Sequence, residues 1–252
     1  ETILQWGLHR DWDFTTGKES PGFYPLNTYI KYYWDGGIEL SLMMLEYYRH
    51  TEDPDFLRET LLPVTDAVVT FFDQHYARGD NGKMHISPAQ VLETYHEAEN
   101  PLPVIIGLQT TLTRLLDLPK PLTSPEQRSR WARMLSELPD LPMEELDGKR
   151  WMKPADTYGA RGNMENGELY GMFPCNAQGI GRPDLDMVLE TYQRRLFKTT
   201  GCWRYEAVVA ARLGLTDDAK DYLLTNVTNQ FHTLNPAEHA KAVPSRFPAF
   251  WR

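Results

Sequence analysis

The chain is 252 residues long, with 41% hydrophobic and 24% charged side chains and a net charge of −9. That length buries a substantial core in one large domain or two small ones, and the charged share is ordinary for a globular protein. The negative balance, with no basic run interleaved with aromatics, argues against a nucleic-acid surface, and no apolar stretch reaches membrane-spanning length.

In chain order, the first predicted helix is Ile38–His50, where Ile38, Leu42, Leu45 and Tyr48 share one stripe at helical spacing. Asp53-Pro54-Asp55 then supplies an N-cap, a first-turn proline and a first-turn acid. The helix it opens runs towards Tyr76, with a kink expected at Pro63. After the Asp80-Asn81-Gly82 turn, a short extended piece is expected near Lys83–Ile86. Leu102–Leu118 reads as an apolar helix, and Ser124-Pro125-Glu126-Gln127 is a capping box opening a helix to about Glu137. Pro183–Phe197 follows, with Asp184 and Asp186 in its first turn. Cys202–Leu213 ends on Gly214, and Thr216-Asp217-Asp218 opens the last helix, to about Asn229. Seven helices joined largely in pairs, with long loops recurring on one side, point to an all-α fold, an (α/α)6 toroid or part of one. A solenoid of helical hairpins is the alternative, and the lack of a fixed period of roughly 34–45 residues counts against it.

Two polar inserts interrupt this frame. His85–Pro101 holds Glu93, Glu97 and Glu99, two histidines, Tyr95 and Asn100, and two X-Pro steps keep much of it from being helical. A plain helix–helix connection is about two to eight residues, so a longer one is usually functional or disordered. The Ile, Val, Leu and Tyr of this stretch argue against disorder. Trp151–Gly181 is the second insert, rich in Glu, Asn, Tyr and Trp. The chain has 7 Trp and 13 Tyr, several of them in loops. Sugar rings stack on such faces, although aromatics are also routine core material.

Particular motifs then resemble a known superfamily. Trp34-x-Gly-Gly-x-Glu39-Leu and Tyr47-Tyr-x-x-Thr51-x-Asp53-x-x-Phe56-Leu are similar to segments of the six-hairpin glycosidases. Ser87-Pro88-Ala89-Gln90-x-Leu-Glu93-Thr, Glu165-Asn-Gly-Glu168-Leu-Tyr-x-x-Phe-Pro174 and Gly201-x-Trp203 continue the likeness. It is closest to an uncharacterised bacterial domain of that superfamily and more distant from glycoside hydrolase family 95, and it runs from about Gly22 to the end. The resemblance implies an (α/α)6 barrel with its active site at the loop-bearing end of the inner helices. It implies a single, truncated toroid domain over residues 1–252, lacking N- and C-terminal parts that carry further site residues. It also implies a bacterial secreted or periplasmic enzyme. Family 95 carries its general acid in a Ser-Pro-Glu-Asn element, whereas this chain has Ala89 at that position, so the mechanism does not transfer there.

Glu93, nearby in the same loop, is the expected substitute. Inverting hydrolysis needs a carboxylic acid to protonate the leaving oxygen and a base roughly 6.5–9.5 Å away to activate water. The acid needs an apolar or anionic setting to stay protonated, and Val91, Leu92 and Tyr95, with Glu97 or Glu99, offer one. The alternative is that Glu93 caps a turn or pairs with an arginine. Glu165 and Glu168, three residues apart, are a base or hydroxyl-binding pair beside Asn166, or else a local cap. Trp34 and Trp203 are stacking platforms or core residues. Gln90, Asn100, Tyr95 and His96 bind sugar hydroxyls or brace the loop.

No metal or cofactor is expected. His85, Glu93 and His96 match no zinc spacing, and Asp80-Asn81-Gly82 lacks the remaining ligands of a calcium loop. No Gly-rich phosphate loop and no Gly-x-Ser-x-Gly element occurs. Cys175 and Cys202 either pair or stand as two small hydrophobes. The reading is an inverting glycoside hydrolase whose partner is an oligosaccharide or polysaccharide substrate of plant or host origin. A non-catalytic glycan-binding toroid is the alternative. An α/α-barrel epimerase or lyase using Tyr95 or His96 is a third.

Overall fold

The computed structural model describes residues 12–13, 18–19, 32–200 and 204–232. Among the described residues the fold is mostly helical, with three short antiparallel two-stranded ladders. The first ladder joins β1 (Trp12–Asp13) to β2 (Lys18–Glu19).

Helix α1 (Asp35–Thr51) buries Ile38, Leu42 and Leu45 of the expected stripe and half-buries its fourth member, Tyr48, and it also buries Asp35, Ser41 and Met44. The Asp53 carboxylate caps α2 (Pro54–Phe56) by accepting from the amides of Asp55 and Phe56. A π-helical turn over Leu57–Leu61 leads into α3 (Leu62–His75). Pro63 was expected to kink this helix, and the widened turn lies just before it. A proline ring crowds the carbonyl one turn back and donates no N–H, and a π-bulge relieves both problems.

Helix α4 (Leu102–Asp117) is buried nearly all round, at 102–108, 110–112 and 115, so it is a central helix rather than an amphipathic surface one. It packs against α1, α5 (Pro125–Glu137) and a 3-10 turn at Gly167–Leu169. It lies close to α1 at Gly107, where an added Cβ would lie 2.7 Å from Ile38 Cγ2. The Ser124–Gln127 capping box forms as expected, and α5 seats Trp131 and Met134 in the core.

Helix α6 (Leu185–Arg194) is shorter than the expected Pro183–Phe197. Asp184 has left-handed backbone (φ 62°) and stands outside the helix instead of in its first turn. Helix α7 (Glu206–Arg212) packs on α8 (Thr216–His232). Gly214, at φ 73°, follows the last turn of α7. Cys202 and Trp203 lie outside the described residues, and Cys175 is buried. Among the described residues no helix is long and apolar enough to cross a membrane.

Strand structure departs from expectation. Lys83–Ile86 forms no strand, only a single bridge between Arg78 and Met84. Of the other two ladders, one sits inside the first polar insert and one just before the second, running two residues into it. Strands β3 (Ala89–Val91) and β4 (Tyr95–Ala98) pair, as do β5 (Met143–Leu146) and β6 (Lys149–Met152). The second hairpin turns through Asp147-Gly148, both with positive φ, the backbone that a two-residue hairpin loop demands.

Candidate active site

The β3–β4 hairpin folds the first insert back on itself and presents residues 92–94 at its tip. The second insert zips onto it through bridges of Tyr95 with Arg161 and of Glu99 with Thr157. The Gly162 amide also donates to the Thr94 carbonyl at 2.7 Å. The two polar inserts therefore form one wall, and this brings Glu165 to the hairpin tip.

Glu165 is held tightly there. Its Oε2 accepts from the Glu93 amide at 2.9 Å and from the Thr94 hydroxyl at 3.2 Å. In return, the Glu165 amide donates to Thr94 Oγ1 at 2.8 Å. A cavity of about 510 Å³ is lined by Glu165 and by Glu39 of α1, whose Oε1 accepts from the Tyr170 hydroxyl at 2.6 Å. Tyr33, Tyr170, Tyr205, Phe173 and Leu92 contribute aromatic and apolar wall, and Glu46, Arg114, Asn176 and Arg212 line its polar part.

Burial raises the Glu39 carboxyl above its ordinary value, while the Tyr170 hydrogen bond pulls the other way. Burial also raises Glu165, with the charges of Glu93 and Glu39 adding to the shift and its two hydrogen bonds opposing it. Asp35, one helical turn before Glu39, is fully buried, and neither carboxylate oxygen has a partner among the described residues. Desolvation, then the charges of Glu39 and Glu165, hold it well above the carboxylate range. Burial lifts the Tyr33, Tyr170 and Tyr205 phenols, so all three keep their protons and serve as donors.

The residues singled out in the sequence fall in several places. Glu93 is half-buried at the hairpin tip. Its carboxylate accepts from Asn163 Nδ2 at 2.9 Å, and its amide, not its side chain, is what reaches Glu165. Glu168 lies behind the cavity wall, 6% exposed, and burial pushes its carboxyl up to about 7 despite hydrogen bonds and the Arg195 charge. Asn166 braces the chain there, bonding Phe197 through both carbonyl and amide and donating to Glu206 Oε1 at 3.0 Å. Gln90 is 1% exposed and accepts from the Tyr32 amide. Asn100 ties Ile86 to Asp156. Tyr95 stacks obliquely on Tyr158, and His96 takes the Gly159 amide on its carbonyl. Trp34 packs edge-on against Phe71 and His75, away from the cavity residues. Trp203 lies outside the described residues.

The sequence assigns no site role to Glu39, Asp35, Tyr33 or Tyr205, although Glu39 stands in the Trp34-x-Gly-Gly-x-Glu39-Leu motif. A signal existed for Asp35, because it continues the apolar stripe of Ile38, Leu42 and Leu45, where a charge has no ordinary place. No protein-family model matches the chain, and no curated protein matches it.

Proposed function

We propose that this chain is a barrel portion of a carbohydrate-active enzyme, an inverting glycoside hydrolase acting on plant or host glycans. The observation that carries the reading is the pair Glu39 and Glu165, two raised carboxyls on one cavity that Tyr33, Tyr170 and Tyr205 also line. Glycoside hydrolysis asks for such a pair, one acid to protonate the leaving oxygen and one base to activate water. Glu165 receives two hydrogen bonds on Oε2, which favour its ionised form, so it takes the base role. Glu39 has one donor and takes the acid role. Like charges sharing a site titrate apart, which keeps one protonated while the other is ionised. The Tyr170 and Tyr205 hydroxyls, whose protons go to Glu39 and to the Asn166 carbonyl, accept from sugar hydroxyls, and the three tyrosines offer faces to a pyranose ring. Glu93 is a positioning residue in this scheme, acting through its amide.

The six-hairpin toroid belongs to the same proposal. It is supported by the packing of α1 on α3 and α4, α4 on α5, and α7 on α8. Such an enzyme works in the bacterial periplasm or outside the cell.

The test is hydrolysis of aryl glycosides and plant oligosaccharides by the full chain, with Glu39→Gln, Glu165→Gln and Glu93→Gln alongside. Glu165→Gln is expected to lose roughly a hundredfold or more on every substrate. Glu39→Gln should lose as much on ordinary glycosides yet keep activity on glycosyl fluorides, whose leaving group needs no proton. Glu93→Gln keeps its amide and should retain most turnover. If Glu93→Gln alone abolishes turnover, the acid is Glu93 and the assignment of the cavity pair is wrong. Proton NMR of the first product shows whether the anomer inverts.

One observation favours a second reading, a glycan-binding toroid without turnover. Ala89, fully buried in β3, stands where family 95 would carry its acid. Glycan binding by the wild type with no product formed would establish it.

A further inference from the structure

Arg212 is the last residue of α7 and lines the same cavity as Glu39 and Glu165. Its position is fixed from both ends. Its backbone carbonyl accepts from the Ile180 amide at 2.9 Å, and its Nη1 donates to Asn176 Oδ1. Among the described residues no carboxylate pairs with it. The other cavity arginine differs: Arg114 is committed to Glu46 at 3.3 Å and to the Cys175 carbonyl at 3.1 Å. Asn176 and Arg114 also line an adjoining groove of about 900 Å³, so the two cavities meet beside Arg212.

A chain of net charge −9 has ample carboxylates to pair its arginines. A partly buried guanidinium without one carries a desolvation cost that an anionic ligand would offset. Asn176 satisfies one N–H and leaves the rest of the planar fork, which matches a carboxylate or a sulfate bidentately.

We propose that the cavity takes a sugar bearing an anionic substituent, a uronate carboxylate or a sulfate ester, seated on Arg212 with Asn176 orienting the guanidinium. This rests on the carbohydrate reading above and narrows its substrate class.

Titration calorimetry of the full chain with glucuronate, galacturonate, glucose 6-sulfate, galactose 6-sulfate, glucose and galactose tests it. At least one anionic sugar is expected to bind about tenfold or more tighter than its neutral counterpart. Uronates and sulfated sugars compared with each other identify which anion the site takes. Arg212→Gln should erase the preference, with thermal melts confirming that the variant folds. Arg212→Lys keeps the charge without the fork and should retain only part of it, which carries the test if the glutamine variant does not fold. Equal affinity for charged and neutral sugars, or a preference unchanged in these variants, overturns the inference and leaves the carbohydrate reading standing. Binding of none of these sugars overturns both.

Discussion

The Thr94 hydroxyl donates to the Glu165 carboxylate and accepts from the Glu165 amide, and its donation favours the ionised carboxylate. In Thr94→Val that support is lost, so the Glu165 value rises further. A base must be deprotonated to act, and activity falls as pH drops through its value. The acidic limb of the pH–rate profile is therefore expected to move to higher pH in Thr94→Val, while the alkaline limb stays in place. An unmoved acidic limb would remove Glu165 from the base role. Glu165 was legible in the sequence because it sits in a polar insert too long for a plain connection. Glu39 was not, because one acid beside a helical apolar stripe reads as a solvated face until the structure shows what covers it.

Among the elements, α1 and α4 pack closely enough at Gly107 that the side chain there matters. An added Cβ meets the branched Ile38 side chain, itself fully buried, so neither can move aside freely. Gly107→Ala is expected to lower unfolding stability by about 1–3 kcal/mol, since overpacking costs that much. Ile38→Ala should be costly alone, by about 2–5 kcal/mol from the cavity it leaves. In the double variant the two costs should sum to less than their separate values, read by denaturant unfolding. The helices themselves were largely legible, because caps such as Asp53 and Ser124 and the apolar stripes are local signals. The β5–β6 hairpin was not anticipated, although Asp147-Gly148 is a strong turn signal. Its strands have little apolar alternation and are mostly exposed, so the pattern around the turn was silent.

For the molecule as a whole, the buried acids make stability depend on pH. Glu168 titrates at about 7 when folded against an ordinary 4.5. Its folded value is raised, so the stability it contributes is fully present below about 4.5 and is lost as pH rises through about 7. Glu168→Gln cannot titrate. Its stability relative to wild type is therefore expected to climb by a few kcal/mol between those limits, measured by urea unfolding across the pH range. A difference independent of pH would show that Glu168 keeps its ordinary value in the folded chain.

The sequence by itself determined the helical class, most helix starts and the two polar inserts, because caps, prolines and 3.6-residue stripes act within a few residues. It also pointed to Glu165. Only the tertiary structure decided that the two inserts zip together and that Asp35, Glu39 and Glu165 feel one another's charge. It likewise turned Glu93 into an amide donor rather than a cavity carboxyl. Those outcomes depend on desolvation and on contacts between residues far apart in the chain, 72 positions for Glu93 with Glu165 and 131 for Glu39 with Tyr170, which no local pattern encodes.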